Sequence, residues 1–148
     1  DVRVTPLQMA MVSAAIANQG VLMEPRLVDL VVASNLNVLN QPMSSVYSSP
    51  MSRQTAGYLT RMMVDSVEIG VSTRAGVSGV AVAGKTGTAE NGPSDPYTLW
   101  FTGFAPAEAP QVAVAVVIED GGGIGQNGTG NQLAAPIAKA VIEAVLNR

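Results

Sequence analysis

At 148 residues the chain has the length of one compact domain or a part of one, and 47% hydrophobic against 13% charged residues argues against disorder. Its net charge is −3 and its arginines (Arg3, Arg26, Arg53, Arg61, Arg74, Arg148) are dispersed, so it lacks the basic stripe that nucleic-acid binding needs. It contains no His and no Cys, which excludes an imidazole base, a His-ligated metal, a thiol nucleophile and a disulfide from its own residues.

The chain begins Asp1-Val2-Arg3, with neither a signal peptide nor an apolar run long enough to cross a membrane. It is expected to be a piece of a longer protein, with any membrane anchor upstream. The first predicted element is a helix. Thr5 is placed as N-cap, Pro6 at the first helical position and Gln8 three residues after the cap, a capping box. Val4 and Met9 have the spacing of a hydrophobic staple. Leu7, Met11, Ala14, Ala15 and Ile16 keep helical periodicity, and Gly20 suits a left-handed stop.

Arg26 to Val32 reads as a strand after Pro25, and Asn35, Asn37 and Asn40 mark turns around Val38-Leu39. Gln41 to Pro50, rich in Ser and Pro, reads as an exposed loop. A second helix is predicted from Met51 or Ser52 to Ile69, capped by Ser49 or Ser52 and ended by Gly70. Ala56, Leu59, Met62, Met63 and Val67 would form its buried face. Val71 to Gly79 is a loop.

A β-meander follows: Val80 to Glu90, Tyr97 to Phe104, and Gln111 to Glu119. The turn clusters between them are Asn91 to Pro96 and Pro106 to Pro110. The third of these runs is almost wholly aliphatic and reads as a central strand covered on both faces. Asp120 to Gly130 is expected to be a mobile glycine-rich loop. A last helix spans about Leu133 to Leu146, with Pro136 in its first turn and Lys139 on its exposed side.

The chemistry concentrates in Val80 to Glu90, which holds Lys85, one of only two lysines. Gly79 to Thr86 fits G-x-x-x-x-G-K-[ST] letter for letter, the pattern of a phosphate-binding loop. That loop needs a strand before it and a helix N-terminus after it. Here the variable positions are Val-Ala-Val-Ala, which prefer a strand, and Asn91-Gly92-Pro93 soon follows, which cannot begin a long helix. The motif is therefore expected along a strand, and the nucleotide-binding reading fails on context.

Along a strand, side chains alternate, so Lys85 and Gly87 face one way and Thr86 and Thr88 the other. Gly87 lets a ligand backbone approach. An exposed edge accepts an extended peptide, and its N–H groups can hold an oxyanion. A cation beside threonine hydroxyls suits a ligand with a free carboxylate. The bland reading keeps Lys85 as a solvated charge among ordinary strand formers.

Lys85-Thr86-Gly87-Thr88, followed by Ala89-Glu90, resembles the third signature motif of the penicillin-binding proteins, the bacterial cell-wall transpeptidases. Val4-Thr5-Pro6-Leu7-Gln8-Met9-Ala10 with Ile16-Ala17-Asn18-Gln19-Gly20 resembles the helix after that family's second motif. Trp100 to Pro106 resembles the strand after its third. The resemblance covers nearly the whole chain and is strongest to the transpeptidase domain of the high-molecular-mass, membrane-anchored members, of which residues 1–148 would be the C-terminal portion.

It implies a mixed α+β fold, an antiparallel sheet packed between helices, whose first two strands would precede this chain. It implies peptidoglycan crosslinking by serine D,D-transpeptidation on the extracytoplasmic face of the membrane, with stem peptides ending in D-Ala-D-Ala as substrates. β-Lactams would be covalent inhibitors and other wall-synthesis proteins partners, and no cofactor or metal is called for. Carried over, Lys85 would supply positive charge and help move a proton, and Thr86 and Thr88 would hold the ligand carboxylate. The Thr88 N–H would form half of the oxyanion hole, and Gly87 would leave room for the ligand. The family's Ser-x-x-Lys and Ser-x-Asn motifs are both absent from this sequence. The nucleophile would therefore lie upstream. A penicillin-recognising sensor without turnover, a D,D-carboxypeptidase and a β-lactamase are the alternative readings.

Trp100 reads as a core residue rather than a groove wall, and the methionines as packing. Glu90 and the pair Glu119-Asp120 read as solvated strand ends rather than site residues or metal ligands.

Overall fold

A computed structural model of the chain describes residues 3–147. Asp1, Val2 and Arg148 lie outside the described residues. The first helix, α1 (Pro6–Ala17), starts with the expected capping box: the Thr5 hydroxyl accepts the Gln8 N–H, and the Gln8 side chain accepts the Thr5 N–H at 2.8 Å. The exit is also as expected. Gly20 adopts φ +94°, and its N–H returns to the Ala15 carbonyl at 2.8 Å. A Cβ there would strike the Met51 carbonyl, so Gly20 also lets the chain pass close to the next helix. Leu7 does not join the core; it is exposed, while Ser13, Ala15 and Ile16 are buried.

The stretch from Leu22 to Ser48 differs from expectation. Arg26 to Val32 is not one strand. Two short antiparallel pairs form instead: β1 (Leu22–Met23) with β4 (Val46–Ser48), and β2 (Val31–Val32) with β3 (Val38–Asn40). The expected loop at Gln41 to Pro50 thus contains a strand. Residues Leu27, Leu36, Leu39 and Met43 are exposed, so their apolar character reported no buried face in this chain. Two-residue ladders are what such a segment can form without a core beneath it.

Helix α2 (Arg53–Glu68) takes Ser52, not Ser49, as its N-cap; the Ser52 hydroxyl accepts the Thr55 N–H at 3.1 Å. Ala56, Met63 and Val67 are buried as expected, Leu59 is half-buried and Met62 is exposed. A 3-10 turn (Thr73–Ala75) then leads to the main sheet, β5 (Ala83–Ala89), β6 (Thr98–Ala105) and β7 (Val112–Ile118), antiparallel in the order β5-β6-β7. Val80 to Val82 precede the first strand rather than open it. The aliphatic run in β7 is not central here. It lies at one edge among the described residues, half-buried for most of its length, and β6 is the middle strand.

Strand alternation gives the sheet two unlike faces. Phe101 and Val114, with Val116 and Ile118 beside them, pack on Ala134, Ala135, Ala138 and Ile142 of the last helix, α3 (Gly130–Leu146). Phe104 and Ala83, on the opposite face, pack on Ile16 of α1 and Met63 of α2. Phe101 and Phe104 are both 0% exposed, and burying a side chain of that class contributes about 1.5–3 kcal/mol. The result is a mixed α+β layer structure, helix–sheet–helices.

Helix α3 begins earlier than expected, because Thr129 caps it by accepting the Gln132 N–H at 3.2 Å. Pro136 therefore falls in the second turn. Asp120 to Gly130 is not structureless; it holds two 3-10 turns (Asp120–Gly123 and Gly125–Asn127) tied to Tyr97 through the Gly121 N–H at 2.7 Å. Ile137 and Val141 are exposed, and Lys139 lies 3.9 Å from Glu143 on the same helix.

Candidate active site on the edge strand

Strand β5 is paired on one side only among the described residues, with β6. The ladder sets Lys85 opposite Thr102, Thr86 opposite Phe101, Gly87 opposite Trp100 and Thr88 opposite Leu99. Lys85 and Gly87 thus share the α1–α2 face, and Thr86 and Thr88 the α3 face. The letters that mimic a phosphate loop run into this strand, and the next element after it is the strand β6 rather than a helix.

The edge is oriented by one outward bond. The Thr86 N–H points away from β6 and donates to the Ser72 hydroxyl at 3.1 Å. In an antiparallel ladder, every second residue turns both backbone polar groups to the same side. The Thr88 N–H therefore faces the open edge as well. An extended ligand laid along this edge would meet it.

Lys85 stands at the border of two hollows. One, of about 760 Å³, lies between α1 and α2 and is mainly apolar, with Val12, Ile16, Met62, Met63 and Ile69 in its lining and Thr102 beside Lys85. The other, of about 450 Å³, follows the open edge and is lined by Val71, Lys85, Thr86, Gly87, Thr88, Thr129, Gly130 and Asn131. All four sequence-selected residues thus meet in one place. Lys85 and Thr88 are exposed, and Thr86 and Gly87 half-buried. The Lys85 ammonium donates to the Thr86 carbonyl, holding the cation against its own strand.

Several residues that sequence reasoning passed over build the walls. Ser13 is 0% exposed and its hydroxyl lies 2.6 Å from that of Thr102, which also donates to the Met9 carbonyl at 3.0 Å. This joins α1 to β6 directly beneath Lys85. The start of α3 closes the opposite wall. A Cβ on Gly130 would strike the Trp100 carbonyl and stand 2.8 Å from the Gly87 carbonyl, so only glycine allows this approach. The Asn131 side chain accepts the Arg74 N–H at 3.0 Å, and the Arg74 guanidinium donates to the Gln132 carbonyl at 3.1 Å. The positive end of α3 is thereby locked beside the hollow, where it favours an anionic group. The Thr129-x-x-Gln132 spacing was a readable signal for this helix start; nothing local distinguishes Ser13 or Ser72 from other loop and helix serines.

Trp100 is half-buried opposite Gly87, where its neighbours Leu99 and Phe101 are 0% exposed; it is not a core residue like them.

The site is thus the open edge, among the described residues, of a helix-covered antiparallel sheet, and it carries a cation, two hydroxyls and an outward N–H, groups whose chemistry suits an extended, anionic ligand. Residues 2–143 match the family described as the penicillin binding protein transpeptidase domain. The chain belongs to that family. It is 42% identical to the peptidoglycan D,D-transpeptidase PbpA of Mycolicibacterium smegmatis, over 99% of this chain and 30% of that protein. It superimposes on penicillin-binding protein A from Mycobacterium tuberculosis, a ceftriaxone acyl-enzyme complex, with a TM-score of 0.91 and 41% identity, covering 99% of this chain and 33% of that one. A penicillin G acyl-enzyme complex of the same protein gives 0.84 and 42%, with 99% and 33% covered. The chain therefore spans about a third of the length of these relatives.

Proposed function

We propose that this chain is one portion of a single transpeptidase domain that crosslinks peptidoglycan by serine D,D-transpeptidation, with the Lys85–Thr88 strand as one wall of the active site. The observation that carries this reading is the open edge of β5, where the Thr88 N–H faces outward beside the Lys85 cation and the Thr86 and Thr88 hydroxyls. Family membership and the acyl-enzyme relatives support it.

In this reading a serine outside the chain attacks the carbonyl carbon of the penultimate D-Ala of a stem peptide. The Thr88 N–H and the nucleophile's own N–H hold the oxyanion. Lys85 contributes charge and helps carry the serine proton toward the leaving amine, D-Ala departs, and an amine of a second stem peptide takes the acyl group. Thr86 and Thr88 hold the terminal carboxylate, and Gly87 admits the peptide against the strand. The same groups receive a β-lactam, whose acyl bond to the serine blocks the cycle. The reaction calls for no cofactor. The work would take place on the extracytoplasmic side of the cell membrane, with an anchor elsewhere in the protein and wall-synthesis proteins as partners.

The test uses the full-length protein with a fluorescent penicillin. Lys85→Ala should cut the labelling rate about a hundredfold or more, as expected for a proton-transfer group. Thr88→Ala should cut it about ten- to a hundredfold, the weight of a hydrogen bond to a charged group. Labelling untouched by both changes would sink the assignment. Rapid loss of the label would favour a β-lactamase. A stable label with no crosslinked product from stem-peptide donors and acceptors would favour a sensor.

A further inference from the structure

Ser72 is one of two fully buried polar side chains among the described residues, and it is not spent on its own turn. It occupies the N-cap position of the 3-10 turn Thr73–Ala75, yet its side chain makes no capping bond there. Its hydroxyl reaches instead to the Thr86 N–H at 3.1 Å, the Thr86 hydroxyl at 3.3 Å and the Ser66 hydroxyl at 2.9 Å. We infer that Ser72 is a positioning residue for the edge strand: it pins the β5 backbone at Thr86 and sets the direction of the Thr86 hydroxyl hydrogen. This rests on the transpeptidase reading of the same strand.

The donor count gives the direction. A hydroxyl owns one hydrogen. Ser72 receives the Thr86 N–H on a lone pair and gives its hydrogen to the Thr86 oxygen, so Ser66 must donate to Ser72. The two hydroxyl–hydroxyl bonds in the row Ser66–Ser72–Thr86 then both run toward the strand, and each donor polarises the next. The Thr86 hydrogen is left for an acceptor outside the row. In the free protein that acceptor is the Val71 carbonyl, at a long 3.4 Å. A ligand carboxylate in the edge hollow would offer a shorter, charge-assisted bond and take the hydrogen over. Ser72 thus makes Thr86 a committed donor without touching ligand.

The prediction is specific to ligands with a carboxylate. Acylation of the full-length protein by penicillin G and by its methyl ester, followed by mass spectrometry, separates positioning from general damage. Ser72→Ala should slow acylation by the acid about tenfold and by the ester less than about twofold, because only the charged acceptor uses the oriented hydrogen. Combining it with Thr86→Val should add nothing to the effect of Thr86→Val on the acid. Equal slowing of both reagents, or additive effects in the pair, would overturn the assignment. Should Ser72→Ala fail to fold, Ser66→Ala carries the test, since it removes only the outer donor of the row. It should shift the acid-to-ester ratio about two- to threefold in the same direction, and an unchanged ratio would overturn the proposal. Lys85→Ala and Thr88→Ala are the controls for the underlying reading: acylation untouched by both changes would condemn the transpeptidase site itself, whatever Ser72 does.

Discussion

Gly130→Ala sets two opposing terms against each other. Alanine is the better helix former, and at a helix interior it gains about 1 kcal/mol over glycine. Gly130 is the first residue of α3, where that gain is smaller because the position is only partly helical. Against it stands the close approach. The added Cβ would strike the Trp100 carbonyl, stand 2.8 Å from the Gly87 carbonyl and 3.1 Å from the Thr86 Cβ. Two of these are backbone atoms in a paired ladder, so no rotamer change relieves them.

Overpacking of this kind costs about 1–3 kcal/mol, which outweighs the propensity gain. The expected net loss is about 1–2 kcal/mol, or a fall of roughly 2–8 °C in the melting temperature of a domain of 150–250 residues. Differential scanning calorimetry of the full-length protein measures it. The matched control is Gly57→Ala in the middle of α2, where an added Cβ meets nothing within 4 Å. It should raise stability by about 0.5–1 kcal/mol. If Gly130→Ala is as stable as Gly57→Ala, the close contact between α3 and the edge strand is refuted.

Phe101→Ala should cost about 3–5 kcal/mol in chemical denaturation, since Phe101 is 0% exposed and its ring fills the space left by Gly84. Ser13→Ala leaves Thr102 with the Met9 and Val114 carbonyls as acceptors and should cost only about 0.5–1.5 kcal/mol in the same assay, whereas Thr102→Val strands the buried Ser13 hydroxyl and should cost about 1–3 kcal/mol. Thr5→Ala removes the cap of α1 and should lower stability by about 1 kcal/mol, with faster amide exchange confined to the first turn of that helix.

The elements with a local physical cause were legible. The α1 cap box, the helical face Ala56–Met63–Val67, the three meander strands and the strand setting of Lys85 all follow from side-chain periodicity and turn chemistry. The misreadings share a different origin. Arg26 to Val32 has the composition of a strand, but residues such as Leu27 are fully exposed, so no buried face enforced a single ladder. The aliphatic β7 reads as central and lies at one edge among the described residues, because a strand's place in a sheet is set by pairing partners far away in sequence. Pro136 moved to a second turn because Thr129, inside the expected glycine loop, caps α3 and sets its start earlier.

By itself the sequence determined that Lys85, Thr86, Gly87 and Thr88 lie along a strand, since Val-Ala-Val-Ala before them and Asn-Gly-Pro after them leave no room for a loop followed by a helix. It also determined that no base, thiol or metal ligand of the His or Cys kind operates from this chain. Only the tertiary structure decided which edge of that strand is open, that the Thr88 N–H faces it, and that Ser72 and Gly130 bracket it from either side. Those facts depend on contacts between residues 14 positions apart in one case and more than 40 in the other. Local propensity carries no record of contacts closed at such range, because they exist only once the helices have packed on the sheet.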